Sequence, residues 1–223
     1  MLKAVIFDLD GTLVDSTEAI VKCFMATCDE IGEPRPEEAD VVRTIGFTLE
    51  QQFEMLTSRD TEMCAKVYRR HYEETACATA TLLPGGRACL QSLENHGLKL
   101  GFATSKKRCY AEMILEHLGV LDFFSSRIGP DEVAQPKPHP EAVLKSLTTL
   151  AVGADEAIFV GDTYFDVLAA RDAQVDCVCV TTGYNSREEL EALAPAAVLD
   201  SLGEVADYIF ARDDAPEELR HLV

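Results

Sequence analysis

Ala4-Val5-Ile6-Phe7-Asp8-Leu9-Asp10-Gly11-Thr12 decides how this chain is read. An unbroken apolar run has no wet face, so Ala4 to Phe7 describes a strand buried on both sides, as in a parallel sheet covered by helices. The run then meets two acids separated by one residue. Open α/β sheets bind ligands at the carboxyl ends of their strands. A pair of acids there is costly unless a cation lies between them. A hard divalent ion such as Mg²⁺, held by a few oxygens, answers that need. Gly11 lets the chain turn sharply away.

Outward from this stretch the pattern repeats. Residues 98–103, 157–160 and 175–180 are further continuous apolar runs. Between them lie amphipathic segments. Tyr110, Met113, Ile114, His117 and Leu118 fall at helical spacing, with Gly119 closing the helix, and 87–96 forms another, ended by Gly97. Strand alternating with helix is the signature of an α/β fold, here a doubly wound, Rossmann-like parallel sheet. Residues 16–82 break the rhythm, with helical signals and no buried strand. Ser16 is placed to cap a helix through Ile31, Gly32 ends it, and 49–56 and 63–72 read as further helices. The expected organisation is an α/β core of residues 1–15 and 83–223, with a small all-helical cap, residues 16–82, inserted after the first strand.

Composition narrows the function. The 223 residues carry a net charge of −19, which repels phosphate backbones and anionic lipids, so neither a nucleic acid nor a membrane is the expected partner. Hydrophobic content of 47% suits a packed core rather than an acidic disordered chain. The opening apolar run is too short for a signal peptide, and a cytoplasmic location is expected. None of the eight cysteines forms a C-x-x-C pair, and Cys177 and Cys179 read as small buried residues on one strand face. The acidic stretch 211–223 is expected to be loosely held.

Asp8-Leu9-Asp10-Gly11-Thr12 resembles the first signature of the haloacid dehalogenase superfamily of phosphohydrolases, and the other three signatures follow in order. Phe102-Ala103-Thr104-Ser105 matches the apolar strand closed by Thr or Ser. Lys137, within Gln135-Pro136-Lys137-Pro138, matches the lysine signature. Gly161-Asp162-Thr163-Tyr164-Phe165-Asp166 matches the acidic one. A helical insertion between the first two signatures is similar to the members with a small helical cap. Asp10-Gly11-Thr12-Leu13-Val14-Asp15-Ser16 looks most like phosphoglycolate phosphatases and their relatives.

The resemblance implies roles that the residue types suit. Asp8 is the expected nucleophile, forming an aspartyl-phosphate, and Asp10 the general acid–base. Mg²⁺ is the expected cofactor, held by the Asp8 and Asp162 side chains and the Asp10 main-chain carbonyl. Thr104, Lys137 and the main-chain N–H groups of Leu9, Asp10 and Ser105 would hold the phosphoryl oxygens. Asp166 would orient Lys137 or a metal-bound water. Taken singly, Thr104 is equally a helix N-cap, Lys137 a solvated lysine and Asp166 a helix cap; the ordered set selects the catalytic reading.

Single positions sort the chemistries. Asp10 favours phosphoryl transfer over dehalogenation. The cap stretch 43–49 lacks the lysine a phosphonatase needs, and the first cap helix lacks the histidine usual in hexose-phosphate mutases. The best reading is a phosphatase of a small phosphorylated metabolite, monomeric or homodimeric. The alternatives are a sugar-phosphate mutase like β-phosphoglucomutase, an inorganic pyrophosphatase, or an inactive regulatory or binding protein. Arg43, Gly46 and Thr48 would dip toward the site, with Arg43 meeting an anionic group or else lying on the surface as an ordinary arginine. Lys106, Lys107 and Arg108 would occupy the first turn of a helix, where cations oppose the dipole unless an anion binds nearby. Lys106 either faces the mouth of the site or points into water. Where relatives often read Ala-Gly, this chain has Ala173-Gln174, which puts the turn there in question.

Overall fold

The computed structural model describes residues 1–214. The chain begins with β1 (Ala4–Phe7) and a short β2 (Val14–Asp15). Four helices follow: α1 (Thr17–Ile31), α2 (Glu38–Arg43), α3 (Leu49–Leu56) and α4 (Thr61–Thr79). The chain then returns through β3 (Thr81–Leu82), α5 (Gly86–Asn95), β4 (Lys99–Ala103), α6 (Arg108–His117) and β5 (Phe124–Ile128). It ends with α7 (Glu141–Leu150), β6 (Ala157–Gly161), α8 (Tyr164–Asp172), β7 (Asp176–Val180), α9 (Arg187–Glu191), β8 (Ala197–Leu199) and α10 (Leu202–Asp214).

Six strands form one parallel sheet in the order β5-β4-β1-β6-β7-β8. β1 sits at the centre, and every residue of β1 and β6 is buried, as their apolar runs require. The chain winds outward from β1 to β4 and β5, then crosses back to β6 on the other side. The point where that direction reverses, beside the carboxyl end of β1, is where such sheets place ligands. The side chains of β1 alternate between the two apolar layers: Val5 and Phe7 join the layer shared with the inserted helices, Ala4 and Ile6 the opposite one.

The inserted helices stand on a two-stranded antiparallel stem, with Val14 opposite Leu82 and Asp15 opposite Thr81. Their own core is aromatic: Phe24 stacks on Phe53 at 4.4 Å, and Tyr68 meets both edge-on. Three local expectations need correcting. Ser16 occupies the N-cap position of α1 but makes no cap bond; its hydroxyl donates to Asp10 instead. Helix α6 begins at Arg108, with Lys107 as N-cap, so Lys106 precedes the helix rather than opposing its dipole. Helix α4 runs well beyond residue 72. Gln174 adopts φ +60°, so the left-handed turn usually given to glycine survives without one. Of the acidic stretch, 211–214 extend α10, and 215–223 lie outside the described residues.

Candidate active site

Three adjacent strands deliver the chemistry to one place. Asp8 and Asp10 follow β1, Thr104 and Ser105 follow β4, and Asp162 follows β6. Lys137 arrives from the loop between β5 and α7. Asp8, Asp10, Thr104 and Ser105 line one cavity of about 390 Å³, roofed by the inserted helices. Lys137, Asp162 and Asp166 lie buried behind it.

Lys137 Nζ lies 2.9 Å from Asp8 Oδ1 and donates to Asp166 Oδ1 at 2.6 Å. The other oxygen of Asp166 accepts from the Thr163 hydroxyl and from the N–H groups of Thr163 and Asp162, at 2.7, 3.0 and 3.2 Å. Asp166 therefore caps α8 and fixes Lys137 at once. Burial works against the Lys137 charge, yet Asp166 and Asp8 hold its pKa above the ordinary lysine value.

Asp162 accepts from Thr12 Oγ1 at 2.6 Å and from the Tyr184 N–H at 3.0 Å. Asp10 Oδ1 meets Lys106 Nζ at 2.9 Å and the Ser16 hydroxyl. The same ammonium donates to the Tyr72 hydroxyl of α4 at 2.6 Å, tying the core to the insertion. Lys106 therefore faces the site. Gly46 and Thr48 also line the cavity. A side chain at Gly46 would press the Phe165 ring at 3.0 Å, and Phe47 packs edge-on against that ring at 4.5 Å. Of the two readings of Arg43, the position on the surface is the one found: its side chain is 73% exposed and pairs with Asp40 on its own helix. It sits at the solvent end of α2, where no burial draws it inward.

Asp8, Asp162 and Asp166 offer oxygens within 4.8 Å of one another. Burial pushes the Asp8 carboxyl up to about 6, against the pull of Lys137 and aided by Asp166 and Asp10. Burial drives Asp162 well above its ordinary range, with Asp166 and Asp8 adding to it. Four acids facing two lysines leave a deficit that one divalent cation would neutralise. Asp8 Oδ1 is buried with the Lys137 ammonium 2.9 Å away, and Asp166 has its two oxygens engaged in fixing Lys137 and capping α8. The residues thus fit a hard cation at Asp8 and Asp162, with Asp166 behind them.

Among the described residues, the N–H groups of Leu9, Asp10 and Ser105 donate to no other backbone group, which suits a cradle for an anion. Thr104 is 97% buried, and its hydroxyl accepts from the Lys106 N–H at 3.2 Å. Sequence reasoning missed the supports of the acids. Gly11 has φ +84°, and a Cβ there would lie 2.5 Å from Asp162 Oδ2. A Cβ on Gly183 would lie 1.8 Å from the same oxygen. The segment Thr182-Gly183-Tyr184 follows β7, and its place at a strand's carboxyl end is the signal that pointed to it.

A model of haloacid dehalogenase-like hydrolases matches residues 5–180. A probable phosphatase, IndB, of Dickeya dadantii is 34% identical over 212 residues, covering 92% of each chain. A phosphoglycolate phosphatase of Rhodospirillum rubrum is 35% identical over 225 residues, covering 94% of this chain and 91% of that one. A crystal structure of a Bacteroides fragilis haloacid dehalogenase-like hydrolase superposes with TM-score 0.87 at 28% identity, covering 92% of this chain and all of that one. The chain belongs to the haloacid dehalogenase-like hydrolase family, among relatives that are phosphatases.

Proposed function

We propose that the chain is a Mg²⁺-dependent phosphatase that cleaves small phosphomonoesters through a phosphoryl group carried on Asp8. The observation that carries this reading is the meeting of Asp8, Asp10, Thr104, Lys137 and Asp162 at the ends of β1, β4 and β6 and the adjoining loop. When bound at the Asp8 and Asp162 carboxylates and the Asp10 carbonyl, Mg²⁺ supplies charge neutralisation between an anionic nucleophile and an anionic phosphate.

The chain's own residues then divide the work. An Asp8 oxygen attacks phosphorus, and the ester P–O bond breaks. The Asp10 carboxyl gives its proton to the leaving oxygen, freeing the alcohol. Water next attacks the same phosphorus and passes a proton to Asp10, releasing orthophosphate and restoring Asp8. Thr104, Lys137 and the N–H groups of Leu9, Asp10 and Ser105 hold the equatorial oxygens throughout. Asp166 positions Lys137. Residues 16–82 act as a cap that keeps bulk water from the site, over a core of residues 1–15 and 83–223.

The test is phosphate release from a panel of phosphomonoesters, with pyrophosphate included, in Mg²⁺ and in chelator. Release from at least one ester, lost in chelator, is expected. Folded protein that releases phosphate from none refutes the reading.

A further inference from the structure

A cation on the inserted helices reaches the cavity with donors to spare. Arg69 of α4 is part of the lining, and its side chain is 28% exposed. Its Nη2 donates to Glu50 of α3, which lines the cavity too. Its Nε is buried without a partner. Its Nη1, unlike Nε, stays open to solvent and makes no hydrogen bond among the described residues. The Glu50 contact therefore anchors one corner of the guanidinium and leaves another free for an acceptor. With Nε shut off from both water and partner, the charge is poorly solvated, and an anion at Nη1 would offset it.

The other charges of the lining are accounted for, with one exception. Asp8 has Lys137, Asp10 has Lys106, Glu50 has Arg69, and Asp131 accepts the Arg108 N–H at 3.0 Å. Lys107 is the exception: it is exposed, lines the cavity and forms no ion pair among the described residues. It stands at the N-cap of α6, with Tyr110 one turn further on. The Arg69 charge acts on the Tyr110 phenol, so the cation on the insertion lies within electrostatic range of the core helix that Lys107 begins.

The cations thus divide in two. Lys106 and Lys137 are committed to the acids at the reacting end. Arg69 and Lys107 pair with no catalytic acid, and both look into the same cavity. At about 390 Å³ that cavity falls among ordinary small-molecule sites, roughly 300–1,000 Å³, so a phosphate and a second group fit in it together.

Resting on the phosphatase reading, we propose that the alcohol half of the substrate carries a second anionic group, a carboxylate or a further phosphate, received by Arg69 from the insertion and Lys107 from the core. Arg69 gives the directed hydrogen bond, and Lys107, being solvated, adds a weaker attraction. A substrate held in this way touches both parts of the chain at once.

The test measures kcat/KM in Mg²⁺ for a series of ω-phosphooxy carboxylic acids of two to five carbons, each beside its neutral primary amide. A second series sets propanediol and butanediol bisphosphates beside the monophosphates. In at least one series the charged member should exceed its neutral counterpart at least about tenfold, the lower end for a hydrogen bond to a charged group. The series that shows it tells carboxylate from phosphate. Arg69→Met, checked for folding by its melting curve, should bring that ratio to within about threefold of one, and Arg69→Gln gives the same readout should methionine cost folding. Neutral members that match the charged ones at every length in the wild-type chain overturn the proposal, whatever the variants do. So does a preference that persists in a folded Arg69 variant. No release from any ester would instead refute the phosphatase reading itself.

Discussion

Replacing Lys137 by methionine removes the ammonium that lies between two buried carboxylates while keeping most of the side chain's volume. The lysine side chain is 2% exposed, with its Nζ 2.9 Å from Asp8 and 2.6 Å from Asp166. Breaking a buried pair by deleting one partner costs about 3–5 kcal/mol, because the remaining charge is left dry and uncompensated. For a chain of this length each kcal/mol moves Tm by roughly 2–4 °C, so the metal-free variant should melt roughly 6–20 °C below the wild type at pH 8. The sign of the pH dependence follows from Asp8. Its folded pKa is already raised to about 6, and losing Lys137 raises it further. A carboxyl so raised is fully tolerated below its unfolded pKa of about 4, and its stability contribution is lost as pH climbs through the folded value. The gap between variant and wild type should therefore narrow at pH 5 and widen toward pH 8. Melting curves in chelator at both pH values measure it. Turnover in Mg²⁺ should fall by about 10²–10³, the usual loss for one transition-state donor. Equal Tm values at pH 8, or a gap that widens on acidification, would refute the reasoning.

Three further outcomes follow from the same geometry. Mg²⁺ should raise the wild-type Tm more at pH 8 than at pH 5, because burial and neighbouring acids lift Asp8 and Asp162, and protons compete for them in acid; a larger Mg²⁺ effect at pH 5 contradicts this. Gly183→Ala places a methyl against Asp162 Oδ2 and should weaken the Mg²⁺ dependence of turnover by about 10–100-fold, read by titrating the metal. Lys106→Ala cuts the contact between Asp10 and Tyr72 and should lower kcat/KM about tenfold, whereas an unchanged value would make Lys106 a bystander.

Much of the core was legible because burial on both faces leaves a strong mark. The runs at β1, β4, β6 and β7 contain hardly a polar residue, so their strands could be read directly. β5 could not: Phe124-Ser125-Ser126-Arg127-Ile128 carries three polar residues, with Arg127 donating to backbone carbonyls nearby. β8 lies at the sheet edge and is only partly buried, so its three residues leave little signal. The short α2 is similarly faint, with Val41 its buried residue.

The acids were legible as a set because their spacing after strands is local. Their supports were not, because those contacts close over long sequence separations. Thr12 reaches Asp162, Tyr72 reaches Lys106, and Tyr184 meets Thr17, each through folding rather than proximity in the chain. The charge of −19 is compatible with the proposed anionic substrate, because Lys106 and Lys137 offset the acids locally and a cation at Asp8 and Asp162 would offset them further. Part of the excess lies far away in sequence, with −7 carried from Asn185 onward.

The account stands or falls on Asp8 as the carrier of the phosphoryl group. Mixing the enzyme and Mg²⁺ with a ³²P-labelled ester that it hydrolyses and quenching in acid traps the label, and borohydride added to a parallel sample expels the phosphate and reduces the carboxyl that held it to an alcohol, which marks the residue. The account predicts label and reduction at position 8, and neither label nor phosphate release from Asp8→Asn. Phosphoryl recovered on a different residue, or undiminished turnover by Asp8→Asn, would contradict it.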